Sequence, residues 1–255
     1  MELSQVRQLL SRTARPLSLS VVHREKYTTI LCDELYRFSR GLVGEDRAHW
    51  QHHVDTCTEA HLLRCAGTGT LLGFQFWRRD TSAAVPIIWG GKLRFSPEIR
   101  RQGVHLALNL LALDGMRRQH AQHAPVYRVS LCNVFGFQAL RPGLEAFVPP
   151  RMPATVAAVV SAELNRFVEE NGFKMCRSTG RVNVGQDALQ SPEDLPESFW
   201  GRPEVAEFRT AGLSGSELSR PATLSRLNDC FLVWEWSNAN VAAMRDRLYA
   251  KLGTA

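Results

Sequence analysis

Hydrophobic positions divide the first half of the chain into short alternating and helical stretches. Residues 18–23 read as a short strand, and Ile30, Leu31, Leu35, Phe38 and Leu42 then recur near helical spacing, predicting a helix over 27–42. A more polar helix is predicted over 45–56, with Asp46 near its first turn, where negative charge is favoured. Three strands follow at 61–65, 70–77 and 85–95, separated by Gly67-Thr68-Gly69 and by 79–83. Leu106, Leu108, Leu110, Leu111, Leu113 and Met116 form one broad apolar face over 103–119, predicting a long helix. A strand at 126–132 and a short helix at 133–140, stopped by Pro142, end this half.

The second half is less regular. Val156, Val159, Val160, Leu164, Phe167 and Val168 predict an amphipathic helix over 154–170, closed by Asn171-Gly172. From 177 to 226 the chain is rich in Ser, Pro, Gly and charge, with Phe199, Trp200 and Phe208 as its only anchors. Phe231 to Trp236 is the strongest late strand signal, and 240–252 closes as a helix. The element order predicts an α+β fold, layered as in α/β proteins, with a mostly antiparallel front half. Read as one domain over 1–255, it has a core at about 17–150, an insertion at about 151–226, and a closing strand and helix at about 229–252. Residues 1–16 are expected to form a simple surface helix.

A chain of 255 residues, 44% hydrophobic and 22% charged, is ordinary globular material. Its six cysteines include no CxxC pair, which argues against a zinc site and suits a reducing compartment. No apolar run approaches the ~20 residues of a membrane span, and the N-terminus lacks a secretory h-region, so a cytoplasmic location is expected. The net charge of +6 asks for an anionic partner. The basic residues are spread out, without a run of five or an aromatic-interleaved stripe, so nucleic acid is not expected. Acidic small molecules or an acidic carrier protein fit equally well.

The informative segment is 93–108, Leu-Arg-Phe-Ser-Pro-Glu-Ile-Arg-Arg-Gln-Gly-Val-His-Leu-Ala-Leu. It begins as a strand, turns through Ser96-Pro97-Glu98 and enters a helix near Gly103. A helix N-terminus presents backbone N–H groups without helical acceptors and a positive dipole end, a ready phosphate site. Arg100 and Arg101 add charge there, and Gly103 is expected to let a ligand approach the backbone closely.

This segment resembles the acyl-CoA-binding motif of the GNAT (Gcn5-related N-acetyltransferase) superfamily. Pro97, Glu98, Ile99, Arg100, Gly103, Val104 and Leu108 stand in the matching places, and the element order over 18–140 is similar to the family layout. The resemblance implies a mixed, mostly antiparallel central sheet flanked by helices, followed here by a C-terminal helical and loop insertion. It implies an N-acyltransferase that moves an acyl group from acetyl-CoA or another acyl-CoA to a small-molecule or protein amine, by direct attack. Leu93 and Phe95 would supply backbone groups to the pantetheine. Arg100, Arg101, Gln102, Gly103, Val104 and His105 would form the donor cradle. Asn133 resembles the Asn that members often carry after the fifth strand. His105 departs from the family, which has Gly or Ala there, and either obstructs the pyrophosphate or takes part in binding or acid–base chemistry. No Tyr follows Asn133 at the usual distance; Leu140 and Arg141 stand there instead.

Transfer needs a base for the amine proton. His61, Glu59, His105 and Asn133 are the candidate catalytic residues, with Glu235 a further candidate base. No metal is expected: His52 and His53, with His49 and Asp55, resemble ligands only loosely, since adjacent helical positions face different ways. Cys132 is a candidate nucleophile, although free cysteine is more often a small buried hydrophobe. Two other readings remain open. One is a long-chain acyltransferase served by an acyl carrier protein, for which Phe74, Phe76, Trp77 and Phe95 would line the chain. The other is a degenerate fold that binds without turnover. Residues 177–226 are expected to cover the acceptor side.

Overall fold

Strand β1 (Leu17–His23) buries Leu17 and Leu19 and exposes Ser18 and Ser20, the alternation of a strand with one covered face. It pairs antiparallel with β2 (Glu59–Cys65), β2 with β3 (Leu71–Asp80), and β3 with β4 (Ile87–Phe95). Helix α4 (Val104–Gln119) carries the chain from β4 to β5 (Val126–Cys132), giving the order β1-β2-β3-β4-β5 in a mixed, mostly antiparallel sheet. The fold is α+β, as the element order predicts. The computed structural model describes residues 1–45, 47–80, 86–120, 126–132, 158, 162, 174–176, 181–183, 228–236 and 238–252.

The chain divides into two compact units, Met1–Arg128 with Glu235–Ala255, and Val129–Trp234. In the first unit, one sheet face is covered by α2 (Thr29–Val43) and α3 (Arg47–Thr56). Ala60, Leu62, Phe74 and Phe76 pack there against Leu35, Trp50 and Val54. Removing a Leu or Phe side chain from water contributes about 1.5–3 kcal/mol each. Phe74, Phe76 and Trp77 are therefore core residues with no exposed surface, not the lining of an acyl channel. Helix α2 begins at Thr28, whose hydroxyl accepts from the Leu31 N–H at 3.2 Å, and ends at Gly44, left-handed at φ 65°.

The opposite face carries Glu59, His61, Gln75, Trp77 and Arg79, and α4 packs over it. Helix α1 (Leu3–Leu10) docks on α4 and β1, and α5 (Asn238–Leu252) also packs on α4. The N-terminal surface helix expected from sequence spans Leu3–Leu10, with Ser4, Gln5, Arg7 and Gln8 exposed. Val6, Leu9 and Leu10 are buried, three apolar residues at helical spacing closing onto the core.

Strands β6 (Lys174–Cys176), β7 (Arg181–Asn183) and β8 (Asn228–Trp236) pair antiparallel in the order β6-β7-β8, through residues of the second unit. The late strand signal at Phe231 to Trp236 falls in β8. Of the helix expected over 154–170, only Ala158 and Ala162 are described, both helical and exposed. Asp46, the short helix at 133–140, and 184–226 with Phe199, Trp200 and Phe208 lie outside the described residues. Among the described residues, no helix is long and apolar enough to cross a membrane.

Candidate functional site

The segment singled out by sequence forms one continuous strand–turn–helix unit. Strand β4 ends at Phe95, the Ser96 N–H donates to Leu72 O at 2.8 Å, and Pro97–Ile99 make a 3-10 turn. Ile99 is fully buried and pins the turn beside Gly73. Gly73 is itself required there, because a Cβ would lie 2.6 Å from the Phe95 ring across the ladder. Arg101 and Gly103 both have positive φ, 64° and 77°, and α4 starts immediately after them. Gly103 offers no side-chain cap, so the first-turn N–H groups of α4, from Val104, His105 and Leu106, have no side-chain acceptor from the cap. Arg100 and Arg101 are exposed beside them. Arg100 is oriented by an Nε–H donated to Phe95 O at 3.0 Å, and the Gln102 amide donates to Glu98 O at 2.7 Å. Two arginines and an uncapped helix start fit a phosphate group.

Two details change the expected cradle. The open side of Gly103 does not await a ligand. A Cβ there would lie 2.9 Å from Leu248 Cδ1 and 3.6 Å from Lys251 Cβ, both on α5. Glycine is needed for the left-handed turn and for close packing of α5. His105, in turn, is no cationic phosphate ligand. Its ring lies 6.5 Å from that of Phe95, and its Nε2 is enclosed without a hydrogen-bond partner among the described residues. Burial, and secondarily the Arg128 charge, holds its pKa down to about 3, so the ring is neutral at neutral pH.

Leu93 and Phe95 sit opposite Gln75 and Gly73 in the β3–β4 ladder. Between Gln75 and Trp77 the register slips by one, so Gly91 and Lys92 together face Phe76. Such a bulge disrupts the ladder and leaves a residue unpaired. It lies within β4, the strand that borders β5, three residues before the turn at Phe95.

The two strand-borne base candidates are together, but committed to one another. His61 Nδ1 accepts from Trp77 Nε1 at 3.2 Å, so Nε2 carries the proton and donates to Glu59 Oε1 at 3.1 Å. Arg79 grips the same carboxylate with Nε at 3.1 Å and a terminal nitrogen at 2.7 Å. Burial acts to raise the Glu59 pKa, but the hydrogen bonds from His61 and Arg79 and the Arg79 charge outweigh it and hold it at about 2. Burial lowers that of His61. A carboxylate that weakly basic, with an imidazole whose ring nitrogens are both engaged, makes a structural network rather than a proton acceptor.

Asn133 lies outside the described residues. Cys132 ends β5 and Glu235 lies in β8. The His52 and His53 rings lie edge to face with centroids 5.8 Å apart, and among the described residues no group of three or more His, Cys, Asp or Glu is placed to hold a metal. Gly73, Leu248 and Lys251 also shape the turn. Nothing in sequence marks them beyond apolar periodicity, because their role arises from elements distant along the chain.

No protein-family model matches the chain, and no curated protein sequence does. Solved structures similar to it include an acyl-CoA N-acyltransferase from Pseudomonas aeruginosa, 21% identical, with a TM-score of 0.36 over 53% of this chain and 89% of that one. The Gcn5 structure from Tetrahymena is similar at 16% identity and a TM-score of 0.40, over 54% of this chain and 83% of its own. The IAA acetyltransferase from Bacillus cereus is 7% identical with a TM-score of 0.37, over 52% of this chain and 79% of that one.

Proposed function

We propose that the chain is a divergent N-acyltransferase of the GNAT type. It binds an acyl-CoA through the turn at 96–104 and presents the thioester along β4 to an amine. The observation that carries this reading is the single unit made by bulged β4, the Pro97–Ile99 turn and the uncapped start of α4, with Arg100 and Arg101 beside it. Arg100, Arg101 and the backbone N–H groups of α4 would hold the donor's phosphates. The amine nitrogen attacks the thioester carbonyl and gives up a proton as the C–N bond forms, and the C–S bond breaks to release a thiolate, which takes up a proton. Gln102, Leu93, Phe95 and Asn133 belong to the same donor-side proposal, and the acetyl group is the simplest acyl cargo. Burial of Glu59 and His61 in their own network directs the search for the base elsewhere.

Arg100 is exposed and its one side-chain hydrogen bond, to Phe95 O, is at the surface, so Arg100→Ala tests the reading with little folding penalty. A charge-assisted contact is worth about 1.5–3 kcal/mol, so CoA affinity measured by calorimetry should fall at least tenfold. Unchanged affinity in both Arg100→Ala and Arg101→Ala removes the site. The same titration with an acyl carrier protein in place of CoA separates the two donors.

A further inference from the structure

On the face of β4 covered by α2, opposite the face that carries Phe95, stands a second charged group. Lys92 and Arg94 lie two residues apart on the strand, and Arg94 is the register partner of core residue Phe74. Glu45, the residue after the Gly44 cap of α2, turns its carboxylate toward them. One of its oxygens accepts from Lys92 Nζ and the other from the Ser39 hydroxyl. Arg94 donates its Nε–H to Ser39 Oγ at 3.0 Å and one terminal N–H to Leu93 O at 3.0 Å. Its other terminal nitrogen stands 3.4–3.5 Å from the two Glu45 oxygens, at the limit of a hydrogen bond. The Tyr36 hydroxyl donates to the Glu45 backbone carbonyl at 3.4 Å.

Lys92, Glu45 and Ser39 are buried, and the Arg94 side chain keeps 22% of its surface. Among the described residues, two basic side chains share one carboxylate, and enclosed charge is retained only when something offsets its desolvation. Burial, and secondly the Arg94 charge, draws the Lys92 pKa down to about 6, so that at neutral pH Arg94 carries the positive charge of the group. Arg94, whose terminal nitrogen reaches Glu45 only at the limit of a hydrogen bond, is also the member of the group that is not fully buried. A planar fork of N–H donors in that state matches a carboxylate. It stands next to Phe95 in sequence, one strand rise of about 3.3 Å away, on the other side of the sheet.

We propose that Arg94, supported by Lys92 and Ser39, is a recognition subsite for a carboxylate carried by the acceptor, so that the acceptor is an amine bearing an acid group. Glu45 is the resident counter-ion that keeps the pair in place before the substrate arrives. Donor and acceptor then approach β4 from its two faces. The acceptor assignment rests on the acyltransferase reading; the anion site itself does not.

The test uses the full chain and two independent readouts. In thermal unfolding, succinate should raise the melting temperature of the wild type above that in chloride at equal ionic strength, as a ligand of the native state does. Arg94→Gln should abolish the difference and Arg94→Lys should retain part of it. In a thiol-release assay with acetyl-CoA, β-alanine should have a KM at least tenfold below that of propylamine, and Arg94→Gln should erase the gap while CoA affinity by calorimetry is kept. Equal stabilisation of the wild type by succinate and chloride overturns the subsite. So does an Arg94→Gln protein that still responds to succinate. If that variant does not fold, Arg94→Lys against wild type decides by the same comparison. Failure of the wild type to bind CoA overturns the donor reading alone, and the succinate result then stands by itself.

Discussion

At the scale of single residues, buried polar groups decide what each side chain can do. Glu59 has its oxygens taken by His61 and Arg79, with the His23 ring 3.8 Å away, and Trp77 fixes the imidazole from the other side. Removing one partner of such a group leaves the others buried and uncompensated. Glu59→Gln should therefore cost about 3–5 kcal/mol in urea unfolding. The sign of its pH dependence follows from a folded pKa of about 2 against 4.5 for a free Glu side chain. Folding is favoured by the ionised form, so this contribution is complete above pH 4.5 and is lost as pH falls from there toward 2. The acid limb of wild-type stability should flatten in Glu59→Gln; an unaltered limb would mean that the network contributes nothing. Sequence shows Glu59 and His61 at strand spacing, which is why they read as candidate bases. Their partners come from β3, and that pairing is invisible until the register is known.

Elements were more legible than sites, because periodicity and caps are local. Thr28 and Gly44 bracket α2, and the run from Leu106 to Met116 predicts α4 to within a residue. Strands extend slightly beyond their apolar cores, as β3 does to Asp80, since ladder hydrogen bonds continue where side chains turn polar. What periodicity does not predict is the use of a gap in a helix. Gly115 sits inside α4, where Ala would be the better helix former by about 1 kcal/mol. A Cβ at that position would meet the Arg79 guanidinium at 2.5 and 2.6 Å. The glycine is the notch that lets Arg79 reach Glu59 beneath the helix. Gly115→Ala should therefore destabilise the protein despite its helix propensity, and most of the loss should vanish when it is combined with Glu59→Gln. A stabilising or fully additive Gly115→Ala in urea titrations would show that Arg79 relocates without cost.

At the scale of the whole molecule, the N-terminal and C-terminal parts of the chain meet in one unit, where α5 packs on α4 beside the turn proposed to hold the donor. That arrangement escapes a sequence reading because the turn motif is complete within 93–108, while its support comes from residues more than a hundred positions later. Leu248 is fully buried, and its methyl group occupies the space left by the missing side chain of Gly103. Leu248→Ala removes that support without touching any group assigned to the donor. The cavity should cost about 2–5 kcal/mol. If α5 holds Gly103 and the start of α4 in place, CoA affinity should fall as well, because the backbone N–H groups lose their fixed aim. Arg100→Ala should weaken CoA while leaving stability near wild type, so the two variants separate contact from support. Calorimetry and urea unfolding on both proteins provide the comparison. A Leu248→Ala protein that is less stable yet binds CoA at full strength would show that the turn is held by Ile99, Gly73 and the ladder alone, and that α5 closes the core without serving the site.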